Sequence, residues 1–197
     1  VMRLILLIIF LFTLTSCNNK RSVDSGAEML QLKNDITNDT IVKPPVAVST
    51  FPAGSQRINT GKTSPEELLA FARSLIGTAY KYASVDPAVG FDCSGFLTYV
   101  FNHFQIAVPR SSIDYSNIER KIDLADAKPG DLVIFTGTDS TNRLAGHIGI
   151  ITSNNNGACY FIHSTSGKAK GVTITELRAY YFFRFIKVIR IFPQNDL

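Results

Sequence analysis

Apolar positions along the chain fall into three regimes. Residues 4–14 make an apolar run of 11 residues with no charge. Residues 18–62 show neither helical nor strand periodicity. Asn, Thr, Ser and Lys are frequent there, and Lys43-Pro44-Pro45 and Phe51-Pro52-Ala53-Gly54 break any regular pattern. From Ser64 onward the periodicity is strong. Ser64-Pro65-Glu66-Glu67 supplies an N-cap serine, a proline at the first helical position and a capping-box glutamate. Leu68, Leu69, Ala72, Leu75 and Ile76 then share one helical face, and Gly77 marks the stop. A second helix is predicted from Asp92-Cys93-Ser94, with Asp92 as N-cap and Phe96, Leu97, Val100, Phe101 and Phe104 turned inward. A short polar helical segment follows Pro109-Arg110-Ser111-Ser112. Beyond the turn Lys128-Pro129-Gly130-Asp131, strands are predicted over residues 132–135, 147–152, 158–163, 171–174 and 186–192. Helices first and strands after predict an α+β domain, its N-terminal helices packed on an antiparallel sheet.

The first regime reads as an address. Arg3 precedes the apolar run, which is too short to span a membrane but fits the core of a secretion signal. Leu14-Thr15-Ser16-Cys17 resembles a bacterial lipobox, in which Cys17 is lipidated and becomes the first mature residue. The competing reading is an ordinary signal peptide with an incidental cysteine. Asn18, rather than Asp, follows Cys17, and by that resemblance implies the outer membrane of a diderm bacterium, facing the periplasm. The expected organisation is a signal peptide over residues 1–16, lipidated Cys17 and a flexible tether over 17–62, and one folded domain over 63–197.

Charge narrows the function. The pI is near 9.0, yet residues 63–197 carry 13 Lys and Arg against 12 Asp and Glu. No basic patch remains there, so nucleic-acid binding has no electrostatic footprint. No CxxC or dense Cys/His cluster points to structural zinc.

Cys93 is the first candidate for chemistry. In the opening turn of a helix, orphan N–H groups and the helix dipole favour a thiolate, which lowers a thiol's pKa. The alternative is a small buried core residue, but Cys93 sits between polar Asp92 and Ser94. His147 and His163 flank the turn sequence Ser153-Asn154-Asn155-Asn156-Gly157 and centre on residue 155. In an undistorted hairpin they would face each other directly, with Cβ atoms roughly 5 Å apart; a bulge would shift that pairing. One imidazole could take the Cys93 proton while the other orients it. A two-histidine metal site is the rival, without an obvious third ligand. His103 lies about 15 Å along the helix from Cys93 and reads as a packing residue. Cys159 alternates onto the face of His163 and reads as core; an exported protein could pair it with Cys93, but free thiols are the preferred reading.

Phe91-Asp92-Cys93-Ser94-Gly95-Phe96, Pro109-Arg110-Ser111-Ser112, Pro129-Gly130-Asp131-Leu132-Val133-Ile134-Phe135, Gly146-His147-Ile148-Gly149-Ile150, and Phe161-Ile162-His163-Ser164 with Gly171-Val172-Thr173-Ile174 resemble the ordered blocks of the NlpC/P60 family. The resemblance runs from Ser64 to Phe192. It implies a papain-like fold and a cysteine endopeptidase acting on peptidoglycan stems, usually at the γ-D-glutamyl–diamino acid bond. It makes Cys93 the nucleophile, His147 the base and His163 the residue orienting that base. Tyr80 would support the active site, and Asp92 and Ser94 would bind the free amino end of the stem. No metal or cofactor is called for. Ala83-Ser84 stands where the family often has Gly-Gly, and the loop over residues 136–145 looks extended. A papain-like wall amidase, a lipid acyltransferase and a non-catalytic wall-binding lipoprotein compete with this reading.

Overall fold

A computed structural model of the chain describes residues 50–197. The expected signal peptide, Cys17 and the expected tether up to residue 49 lie outside the described residues. Helix α1 (Pro65–Ser74) forms as its cap dictates: the Ser64 side chain accepts from the Glu67 N–H, and the Glu67 side chain accepts from the Ser64 N–H. Leu68, Leu69 and Ala72 are buried, whereas Ile76, expected on the same face, is half exposed. The helix has already ended at Ser74, and the Gly77 N–H is taken by the Val172 carbonyl. A two-stranded ribbon, β1 (Val85–Asp86) with β2 (Gly90–Phe91), leads into helix α2 (Cys93–His103). Next come β3 (Lys121–Ile122), β4 (Leu132–Thr136), β5 (Ala145–Asn155), β6 (Ala158–Thr165), β7 (Gly171–Glu176), a short helix α3 (Tyr180–Arg184) and β8 (Phe185–Ile189). The sheet is six-stranded and antiparallel in the order β3-β8-β4-β5-β6-β7. This is the expected α+β architecture.

The sheet is covered on both sides. Leu132, Ile134, Ile148, Ile150 and Ile162 pack with Phe96, Leu97, Val100 and Phe101 of α2 and with Leu68 and Leu69 of α1. The alternate residues Val133, Phe135, Ile151 and Phe161 form a second cluster with Cys159, Leu177 and Val188. β4 is therefore buried at every position, as a continuous apolar run requires. Residues 50–62, expected as the end of a tether, pack on this body. Ile58 joins the main core, Thr60 is buried, and Thr50 bridges Val108. Among the described residues no helix is long and apolar enough to cross a membrane.

Candidate active site

Cys93 opens α2, and the helix start is built around it. Asp92 holds an extended conformation and its carboxylate accepts the Gly95 N–H at 2.6 Å, the expected N-cap. The same carboxylate receives Arg110 as a fork, at 3.1 and 2.6 Å, and Arg110 also donates to Ser94 Oγ at 3.0 Å. Gly95 is needed because the chain crosses above it: a Cβ there would lie 2.0 Å from the Ser84 carbonyl oxygen. Asp92 and Ser94 are both buried, are engaged with Arg110, and do not line the cavity described below.

The thiol of Cys93 is free and half-buried. Its side-chain contact is to the Gly146 carbonyl at 3.9 Å, and no hydrogen bond joins it to His147 among the described residues. A helix start alone predicts a lowered thiol pKa. In the folded chain the thiol is pushed up instead, by burial and then by the Asp92 carboxylate; nearby N–H groups of Ser94, Ile148 and Cys93 itself act in the opposite direction. Cys159 is also free, buried in the second cluster, and pushed up to about 11 by burial.

The histidines meet, but not in the register that symmetry about residue 155 predicts. The turn is Asn156-Gly157, both at positive φ (51° and 82°), as a two-residue hairpin demands. Next to it Asn155 pairs Ala158, Asn154 pairs Cys159 and Ser153 pairs Tyr160. An unbroken ladder would continue to Ile150 opposite His163 and turn the two histidines to opposite faces. Thr152 is an extra residue at a bulge, after which Ile151 pairs Phe161 and Ile150 pairs Ile162. His163 then falls beside Gly149, diagonal to His147 and on its face. A Cβ at Gly149 would lie 2.6 Å from the Phe161 ring and 3.2 Å from His163 Cβ, so glycine keeps this strand close. His147 Nε2 and His163 Nδ1 are 2.8 Å apart, and His163 Nε2 is 2.9 Å from Thr175 Oγ1.

Both imidazoles are buried, at 8% and 0% exposure, among Phe135, Phe161 and Tyr181. Burial, the neighbouring His163 and the Arg184 guanidinium hold His147 well below its ordinary pKa. Burial and Arg184 lower His163 to about 3. A cavity of about 720 Å³ brings Cys93, His147 and Tyr80 to one wall system with Thr173, Thr175, Tyr181 and Arg184. Tyr80 is the expected support residue; burial and Cys93 push its hydroxyl up. His103 stacks on Phe71 at 3.7 Å and is a packing residue. Among the described residues no group of three His, Cys, Asp or Glu side chains could hold a metal ion.

Four residues at or beside the site have no role that the sequence alone assigns. Arg110 was visible within Pro109-Arg110-Ser111-Ser112, though its fork onto Asp92 was not. Thr175 lies one residue past the predicted strand end. Tyr181 and Arg184 belong to α3, whose run Tyr180-Tyr181-Phe182-Phe183-Arg184 is too short for any helical period.

A helix-start thiol and His147 lining one cavity, with His163 buried behind His147, on helices packed against an antiparallel sheet, define a papain-like arrangement. The chain belongs to the NlpC/P60 family, whose model matches residues 77–190. It is 34% identical over 131 residues to a gamma-DL-glutamyl hydrolase of Bacillus subtilis (strain 168), covering 66% of this chain and 30% of that protein. It is 34% identical over 110 residues to a probable endopeptidase NlpC homolog of Haemophilus influenzae, covering 55% of this chain and 52% of that one. The chain thus spans about a third to a half of these relatives. The fold is also that of an NlpC/P60 family protein from Bacillus cereus, with a TM-score of 0.59 and 24% identity over 71% of this chain and 43% of that one.

Proposed function

We propose that the chain is a cysteine endopeptidase that hydrolyses peptidoglycan stem peptides at the γ-D-glutamyl–diamino acid bond. The observation that carries this reading is the hydrogen-bonded run Thr175–His163–His147 opening into the cavity that holds Cys93. For His147 to accept the thiol proton on Nδ1, its Nε2 must carry hydrogen and donate to His163 Nδ1. His163 then carries hydrogen on Nε2 and donates to Thr175 Oγ1. Each member fixes the tautomer of the next. In the proposed cycle His147 takes the Cys93 proton and the sulfur bonds to the amide carbonyl. Backbone N–H groups at the start of α2, with Tyr80, stabilise the oxyanion. His147 then protonates the leaving amine and activates the water that releases the acid. The names of the relatives, an endopeptidase and a glutamyl hydrolase, support this substrate class.

Export and lipid anchoring at Cys17, at the outer membrane facing the periplasm, complete the proposal and put the site within reach of the wall. The deciding experiment is mass spectrometry of muropeptides incubated with the chain and with Cys93→Ala. Products split between glutamate and the diamino acid, absent with the variant, are expected; hydrolysis undiminished by Cys93→Ala refutes it.

A further inference from the structure

The cavity beside Cys93 has cations on its wall and no carboxylate. Of its lining residues Lys168 and Arg184 are basic, and none is Asp or Glu. Lys168 is exposed, but Arg184 is only 6% exposed. A guanidinium at that depth ordinarily carries an acidic partner. Arg190, likewise buried, has Asp131, whereas Arg184 makes no ion pair among the described residues.

The guanidinium is held firmly by two of its three nitrogens. Nε donates to the Gly137 carbonyl at 2.7 Å and Nη2 to the Thr136 carbonyl at 2.8 Å. Its central carbon lies 4.7 Å from the Tyr180 ring centre and 5.5 Å from that of Tyr181. Nη1 makes no hydrogen bond among the described residues. It is not walled off either, because among the described residues the Tyr115 hydroxyl is the only fully buried side-chain polar atom without a partner. Arg184 lines the cavity, and Nη1 is the guanidinium nitrogen left free to donate to a ligand there.

We propose that Arg184, with Lys168 at the rim, is a carboxylate subsite that selects peptide substrates bearing a free carboxylate next to the scissile bond. This rests on the peptidase reading above. Two carboxylates are in range of such a bond: the free α-carboxylate of the γ-linked glutamate, and that of the diamino acid on the leaving side. Amidation of either removes the charge with little change in size, and a guanidinium offered an amide loses its charge-assisted bond.

Three synthetic stem peptides test it: the free acid, the glutamyl α-amide and the diamino acid amide. Hydrolysis by the full chain and calorimetric binding to Cys93→Ala are measured for each. The free acid is expected to exceed one of the two amides by at least about tenfold in kcat/KM, the factor that one charge-assisted hydrogen bond carries. The amide that suffers identifies the carboxylate. Arg184→Gln brings the ratio to about one; Arg184→Lys, which retains a donor for the 136–137 carbonyls if the neutral variant does not fold, reduces it. Equal hydrolysis of all three peptides overturns the subsite and leaves the peptidase reading in place. Discriminating binding without hydrolysis does the reverse, and neither binding nor hydrolysis of any peptide overturns both.

Discussion

Acid should destabilise this fold through its buried histidines, and His163 allows the amount to be worked out. Its folded pKa is about 3, against an ordinary 6.5. Above pH 6.5 the residue is neutral in both states and makes no difference. As pH falls below 6.5 the unfolded chain takes up a proton that the folded chain refuses, so stability is lost progressively down to about pH 3. Between pH 7 and pH 5 that linkage amounts to about 2 kcal/mol, from roughly 1.4 kcal/mol per pKa unit. His147, also held well below its ordinary value, contributes a loss of the same sign. The assay is urea denaturation at pH 7, 6 and 5 for the wild type and for His163→Asn, an amide that keeps an acceptor for His147. The variant should lose about 2 kcal/mol less than the wild type over that range. Carboxylates away from the site titrate alike in both proteins and cancel in the difference. An identical pH dependence for the two would refute the argument, because His163 would then be as free to ionise folded as unfolded.

Three further substitutions probe the scaffold. Gly95→Ala places a Cβ 2.0 Å from the Ser84 carbonyl oxygen; backbone cannot yield there, and thermal unfolding should show a loss of about 3 kcal/mol. Ala83 sits at φ 58° where the family often has glycine, so Ala83→Gly should stabilise by about 0.5–1 kcal/mol as relief of left-handed strain exceeds the added chain entropy, read as a rise in Tm. Thr175→Val leaves the His163 Nε2–H without its acceptor; stability should fall by about 1–3 kcal/mol. In steady-state kinetics kcat should fall by roughly tenfold, a minor share of what a positioned base supplies, with KM unchanged.

What the sequence reveals, and what it hides, follows the range of the interactions. Ser64 with Glu67 and Asp92 with Gly95 are contacts three residues apart, so both helix starts are legible. The apolar alternation in β4 to β6 likewise identifies the strands. The ribbons β1, β2 and β3 are two residues each and carry no period. Ile58 and Thr60 are buried singly within a polar stretch, so composition predicts a tether where the chain in fact packs. The hairpin shows the limit most clearly. Symmetry about residue 155 brings the two histidines to one face, but the turn lies one and a half residues further on. Thr152 supplies the compensating shift, and nothing in Ile151-Thr152-Ser153 marks it as a bulge. Arg184 was hidden for a different reason. Its partners, the carbonyls of residues 136 and 137, are backbone groups of a distant strand end, and backbone acceptors leave no trace in side-chain pattern.

The burial that makes the domain acid-sensitive also bears on the proposed chemistry. If His163 were protonated, its Nδ1–H would point at His147 across 2.8 Å, and His147 would have to give up the Nε2 proton that leaves its Nδ1 free to act as a base. A neutral His163 is therefore a condition for the base to work, and three features impose that condition. Complete burial disfavours the imidazolium, Arg184 adds positive potential, and Thr175 Oγ1 can accept the Nε2–H of the required tautomer. The raised thiol and the lowered imidazole together favour an uncharged resting pair of Cys93 and His147. Proton transfer then has to be driven by the charge that develops on the substrate oxygen near the start of α2, where the orphan N–H groups lie. In the proposed cycle the thiolate appears with the substrate in place, so the energy that burial withholds from the free chain is recovered along the reaction.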